Sequence, residues 1–126
     1  MLFLLACLDR TNPLQLELPD SEAFTEFLAE GHQQEFTEFT ALLSAEGVEQ
    51  IVPPWTLWRQ GTDWRSVSQP AFVVPPREQW ASITPTLKVL RANVLPLVGP
   101  VEVVSGFRTE EYNSLAGGAK GSRHKW

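Results

Sequence analysis

Proline placement most tightly constrains what this chain can fold into. Ten prolines occur in 126 residues, and from Val48 onward they stand at Pro53-Pro54, Pro70, Pro75-Pro76, Pro85, Pro96 and Pro100. Proline has no backbone N–H and a fixed φ, so no long helix or central strand passes through such positions. The stretch from Val48 to Pro76, which also carries Trp55, Trp58 and Trp64, is therefore expected to be extended and aromatic, wrapped against the core. Its tryptophans read first as packing anchors, with the lining of a ligand cleft as the alternative.

Regular structure must then lie to either side. Asp20 or Ser21 can cap a helix whose apolar positions are Phe24, Phe27 and Leu28, with Glu22 and Glu26 in its N-terminal half and Gly31 as its interruption or end. A second helix carries Phe36, Phe39, Leu42 and Leu43 at spacings of three and four, and stops at Gly47. Thr84-Pro85 predicts a helix start, with Ile83, Leu87, Leu90 and Val94 as the apolar stripe and Pro96 as the end. After the Gly99-Pro100 turn, Val101–Ser105 reads as a strand, and Thr109 caps a short helix that Gly117-Gly118 closes. Helices followed by a strand entering a loop-rich segment make the fold class α+β.

Composition is that of an ordinary globular chain, 43% apolar and 20% charged. The net charge of −5 argues against non-specific binding to nucleic acid or an anionic membrane. The charge is uneven: residues 1–50 hold ten acids and one base, residues 51–126 five acids and nine bases. Packing of one half on the other, or a solvated acidic face, is the simpler expectation. The functional one is a basic cleft for an anionic ligand such as a peptide carboxylate.

The first seven residues, Met1 to Cys7, are apolar and too short to span a bilayer. Leu4-Leu5-Ala6-Cys7 resembles a bacterial lipobox, in which Cys7 would be lipidated and become the N-terminus. On that reading residues 1–19 are a lipoprotein signal remnant and tether, residues 20–126 are the domain, and the membrane is met only through Cys7. No Lys or Arg precedes Cys7, so an upstream start or a plain apolar terminus stands as the alternative. A lone cysteine excludes an intrachain disulfide.

Most informative is Val104-Ser105-Gly106-Phe107-Arg108-Thr109-Glu110-Glu111-Tyr112-Asn113, continuing through Gly117-Gly118-Ala119-Lys120-Gly121-Ser122-Arg123-His124. It resembles the zinc D-alanyl-D-alanine carboxypeptidases, where a strand ends in Ser-Gly-[Tyr/Phe]-Arg, a helix carries an Asn, and a Gly-Gly-Ala loop precedes Ser-x-His-x-x-Gly-x-Ala-x-Asp. More weakly, the resemblance reaches back to about Phe36. It implies N-terminal helices packed on a small antiparallel sheet of the hedgehog/DD-peptidase type. Carried over by position, His124 is the first zinc ligand and Arg108 the catalytic arginine that binds substrate carboxylate or oxyanion. Ser122 and Asn113 are then substrate-site residues. His32 matches nothing in the motif.

The resemblance further implies zinc as cofactor, peptidoglycan stem peptides as substrate, and a periplasmic or cell-envelope location. The family's second ligand would lie seven residues past His124, and the sequence stops two past it. The expectation is thus a partial peptidase domain, incomplete at the C-terminus, with Val101–Ser105 left at an exposed edge and negligible zinc-dependent hydrolysis. The alternative function is a non-catalytic peptidoglycan-binding or envelope-structural module.

Overall fold

The computed structural model describes residues 4–7, as backbone, and residues 18–118. Helix α1 (Ser21–Phe27) starts where the sequence says it should, with the Asp20 carboxylate accepting from the Ala23 N–H at 2.9 Å. A wide turn over Leu28–His32 breaks at Gly31, whose φ of 113° is open to glycine and costly for other residues. Helix α2 (Gln33–Ala45) follows and ends at Gly47, with the Val48 N–H reaching back to the Leu43 carbonyl at 3.0 Å.

The proline-rich stretch is irregular but well anchored. A 3₁₀ turn over Pro54–Trp58 drives Leu57 and Trp58 into the core. Trp58 has no exposed surface and meets the rings of Phe24, Phe27, Phe36 and Phe39 at centroid distances of 5.2–6.3 Å. The packing-anchor reading therefore holds for Trp58. Arg59 and Phe72 form an isolated antiparallel bridge, extended by Gln60 N–H to Ala71 O at 2.9 Å.

The third helical region departs from expectation at both ends. A 3₁₀ turn (Arg77–Ser82) runs directly into α3 (Ile83–Val89), and Thr84 makes no capping bond. The turn already offers the Trp80 and Ala81 carbonyls to the Ile83 N–H, so Thr84 lies inside the helix rather than at its start. Pro96 does not end the helix either. It sits in the first turn of α4 (Leu95–Val98), after a wide turn over Leu90–Val94, where its missing N–H costs no bond.

Strand β1 (Leu4–Cys7) pairs antiparallel with β2 (Val101–Ser105), with Cys7 opposite Val101 and Leu4 opposite Ser105. The expectation of an unpartnered β2 is thus corrected. One side of β2 takes β1, and the other end meets the Trp-rich segment through Gly106 N–H to Arg59 O at 2.9 Å and Phe107 N–H to Leu57 O at 3.1 Å. Among the described residues the sheet is this single ladder in a helix-rich molecule, smaller than the resemblance implies. Helix α5 (Glu110–Leu115) closes the described chain, capped by Thr109, whose Oγ1 accepts from Tyr112 N–H at 3.1 Å.

The two charge halves pack on each other. Arg77 pairs with Glu38, Lys88 approaches Glu46 at 3.8 Å, and Arg91 donates to the Gly47 carbonyl at 3.1 Å. The Arg77 hydrogen bond holds the Glu38 carboxyl below its ordinary value and the Arg77 guanidinium above its own. Both side chains are solvent-screened, so this pair contributes little to stability.

Candidate functional site

The end of β2, the start of α5 and the residues after Trp58 converge on Arg108. Its Nε donates to the Gln60 main-chain carbonyl at 3.0 Å, and its Nη2 lies 3.5 Å from Ser105 Oγ. The guanidinium carbon stands 5.3 Å from the centroid of the Tyr112 ring, a cation–π distance. Arg108 is half-buried, and among the described residues no carboxylate pairs with it. Glu110 and Glu111, close by in sequence, are exposed residues.

Ser105 is fully buried and donates to the same Gln60 carbonyl at 2.6 Å. Gln60, 1% exposed, reaches the other way with its side chain: Oε1 accepts from Thr109 N–H at 3.0 Å and Thr109 Oγ1 at 3.1 Å, while Nε2 donates to the Pro70 carbonyl at 2.9 Å. Gly61 supplies the remaining wall. A Cβ there would stand 2.9 Å from the Tyr112 hydroxyl and 3.1 Å from Arg108 Nη2, so any larger residue would have to displace the ends of those two side chains.

Tyr112 has no exposed surface, and among the described residues its hydroxyl has no hydrogen-bond partner within 3.5 Å. Burial raises the phenol above its ordinary value, and the Asp63 carboxylate adds to this; the Asp63 backbone and the Arg108 charge act in the opposite sense. The site is therefore a fixed cation beside a neutral, buried phenol.

The expected site residues fare differently. Arg108 and Asn113 lie on the same short connection and α5, and Asn113 is buried against Gly118, whose added Cβ would overlap the Asn113 amide. Ser122 and His124 lie outside the described residues, as does the Cys7 side chain. His32 sits apart, stacked on Phe27 at 4.3 Å and 3.3 Å from Glu35. Gln60, Gly61, Ser105 and Tyr112 escaped the sequence reading as site residues. Only the run Trp58-Arg59-Gln60-Gly61, with two polar residues inside an apolar stretch, hinted at the first of them.

The tryptophan-lined cleft is present only in a modest form. Trp64 borders a shallow groove with Ala23, Phe27 and Phe72, away from Arg108. Among the described residues no helix is long and apolar enough to cross a membrane.

The Ser-Gly-Phe-Arg turn and the helix that follows fall within the stretch that the family comparison matches. Residues 48–125 match the family described as Peptidase M15, and the chain belongs to that family, which is of the zinc D-Ala-D-Ala carboxypeptidase type. The match begins at Val48, later than Phe36, to which the weaker resemblance reaches. No curated protein and no solved structure matches the chain.

Among the described residues no group of three or more His, Cys, Asp or Glu side chains converges to hold an ion. Arg108, Ser105, Gln60, Tyr112 and Asn113 are hydrogen-bonding and cationic groups rather than a zinc donor set, so the described site does not fit the metal.

Proposed function

We propose that this chain provides the substrate-carboxylate site of a Peptidase M15 metallopeptidase directed at peptidoglycan stem peptides. The observation that carries this reading is the half-buried Arg108 guanidinium, oriented by Gln60 and Ser105 and without a carboxylate partner among the described residues. A cation taken partly out of water and left uncompensated favours an anionic ligand. A planar guanidinium with its Nε already engaged presents its Nη edge, which suits the two oxygens of a peptide C-terminus.

The chemistry assigned to these residues is binding and orientation. Arg108 takes the terminal carboxylate, the Tyr112 ring lies against the guanidinium, and Asn113 supports the turn into Gly117-Gly118. Of the family's metal ligands the resemblance assigns only His124 here. The role proposed for the described residues is accordingly to bind and orient such peptides. Its substrate class lies outside the cytoplasm, which makes the cell envelope the proposed place of action.

Titration of the chain with acetyl-D-Ala-D-Ala, followed by amide chemical shifts, tests this. Saturable shifts at Arg108 and Tyr112 are expected, and Arg108→Met should weaken binding by about tenfold or more, the scale of a lost charged hydrogen bond. The same peptide with an amidated C-terminus should bind at least as poorly. Equal binding of the amide would sink the carboxylate reading.

A further inference from the structure

On the carboxylate reading above, we infer that Gln60 is the positioning residue of the Arg108 guanidinium, its side-chain amide fixing the main-chain carbonyl that aims Arg108 at its ligand. Gln60 ties together three segments distant in sequence. Its Oε1 takes both Thr109 donors, at 3.0 and 3.1 Å, and its Nε2 reaches Pro70 O at 2.9 Å. Its own N–H is bound to Ala71 O at 2.9 Å. The side chain is thus held at both ends of its amide, and the backbone is held on the N–H side.

What this framework fixes is the carbonyl of Gln60. That oxygen accepts from Arg108 Nε at 3.0 Å and from Ser105 Oγ at 2.6 Å. The Nε bond sets the plane of the guanidinium, since Nε, both Nη atoms and the central carbon are coplanar. Gly61 and the Tyr112 ring then confine the plane from other sides. With Gln60 1% exposed, water cannot replace these bonds if the side chain loses them. Thr109 is also the cap of α5, so the same amide couples the direction of Arg108 to the helix that carries Tyr112 and Asn113.

A purely structural glutamine would cost stability when removed and leave the folded molecules binding as before. A positioning glutamine changes what Arg108 does in the molecules that remain folded. Through-hydrogen-bond coupling between Arg108 Nε and the Gln60 carbonyl carbon, read by NMR on the labelled chain, is expected in the wild type. Gln60→Met, similar in shape but without hydrogen bonds, should speed exchange of the Arg108 Nε–H and weaken acetyl-D-Ala-D-Ala binding, each by about tenfold, as the loss of its three side-chain hydrogen bonds implies.

Wild-type exchange and affinity in a folded Gln60→Met protein overturn the positioning role alone. Should that variant not fold, the wild-type coupling decides, and its absence overturns the inference. A wild type that shows the coupling but binds no carboxylate overturns the recognition reading, and with it the purpose assigned to Gln60.

Discussion

Gly106 runs so close to Leu57 that a Cβ on it would overlap the Leu57 carbonyl oxygen and stand 2.7 Å from the carbonyl carbon. The obstacle is backbone rather than a flexible side-chain tip, and Phe107 N–H is bound to that same carbonyl at 3.1 Å. The glycine of the Ser-Gly-Phe-Arg turn is therefore a packing requirement, since it lets β2 lie against the Pro54–Trp58 turn. Gly106→Ala should destabilise the fold by at least about 3 kcal/mol, as overpacking against backbone does. Urea unfolding followed by tryptophan fluorescence checks this, and a loss under about 1 kcal/mol would show that the two segments separate easily.

Arg59 is the second tie between these segments. Its guanidinium is 3% exposed as a residue and donates to Pro19 O at 2.9 Å and Val103 O at 2.8 Å, besides pairing with Glu102. Removing it strands two carbonyls and a carboxylate, so Arg59→Met should cost about 3 kcal/mol. Glu102 keeps 29% of its side chain in solvent, and Glu102→Gln should cost only about 1 kcal/mol. A Glu102→Gln loss as large as that of Arg59→Met would locate the stabilisation in the ion pair instead of the carbonyl contacts.

Tyr112 makes stability depend on alkaline pH. The phenol is held above its ordinary 10.0 chiefly by burial and then by the Asp63 carboxylate. Below 10.0 both folded and unfolded chains keep the proton, and this contribution is fully present. As pH rises past 10.0 the unfolded chain releases it first, so stability falls until the folded phenol ionises too. Tyr112 is the single tyrosine of the sequence, and its ultraviolet difference titration should show a midpoint above 10.0. Tyr112→Phe should flatten the alkaline fall in stability. A midpoint at or below 10.0 contradicts the buried placement.

Local signals made much of this legible in the sequence. The Asp20 and Thr109 caps, the Phe39 and Leu43 face of α2 and the stop at Gly47 each depend on neighbours within five residues, which a sequence displays directly. Thr84 misled because capping is decided by what precedes it, and the turn over Arg77–Ser82 had already begun the helix. The Gln60 framework was invisible for a different reason. Ser105, Arg108 and Thr109 reach it from 45 to 49 residues away, and no periodicity or spacing records such a meeting. The arginine motif was readable as a resemblance, but the residue that aims the arginine was not.

The same distance hid the partner of the N-terminal run. Leu4, Leu5, Ala6 and Cys7 pair with Ser105, Val103, Glu102 and Val101 in turn. Lipidation after cleavage before Cys7 would delete Leu4, Leu5 and Ala6, three of the four paired residues, so a lipid-anchored Cys7 and an intact β1 exclude each other. The ladder satisfies β2 backbone groups and shields the strand that leads to Arg108. Deleting residues 1–6 should lower stability by about 2 kcal/mol, the sum of a few cross-strand pairs. Intact-mass measurement of the chain expressed in a Gram-negative host should find Leu4–Ala6 retained. A mature form beginning at an acylated Cys7, as stable to urea as the full chain, would remove β1 from the fold.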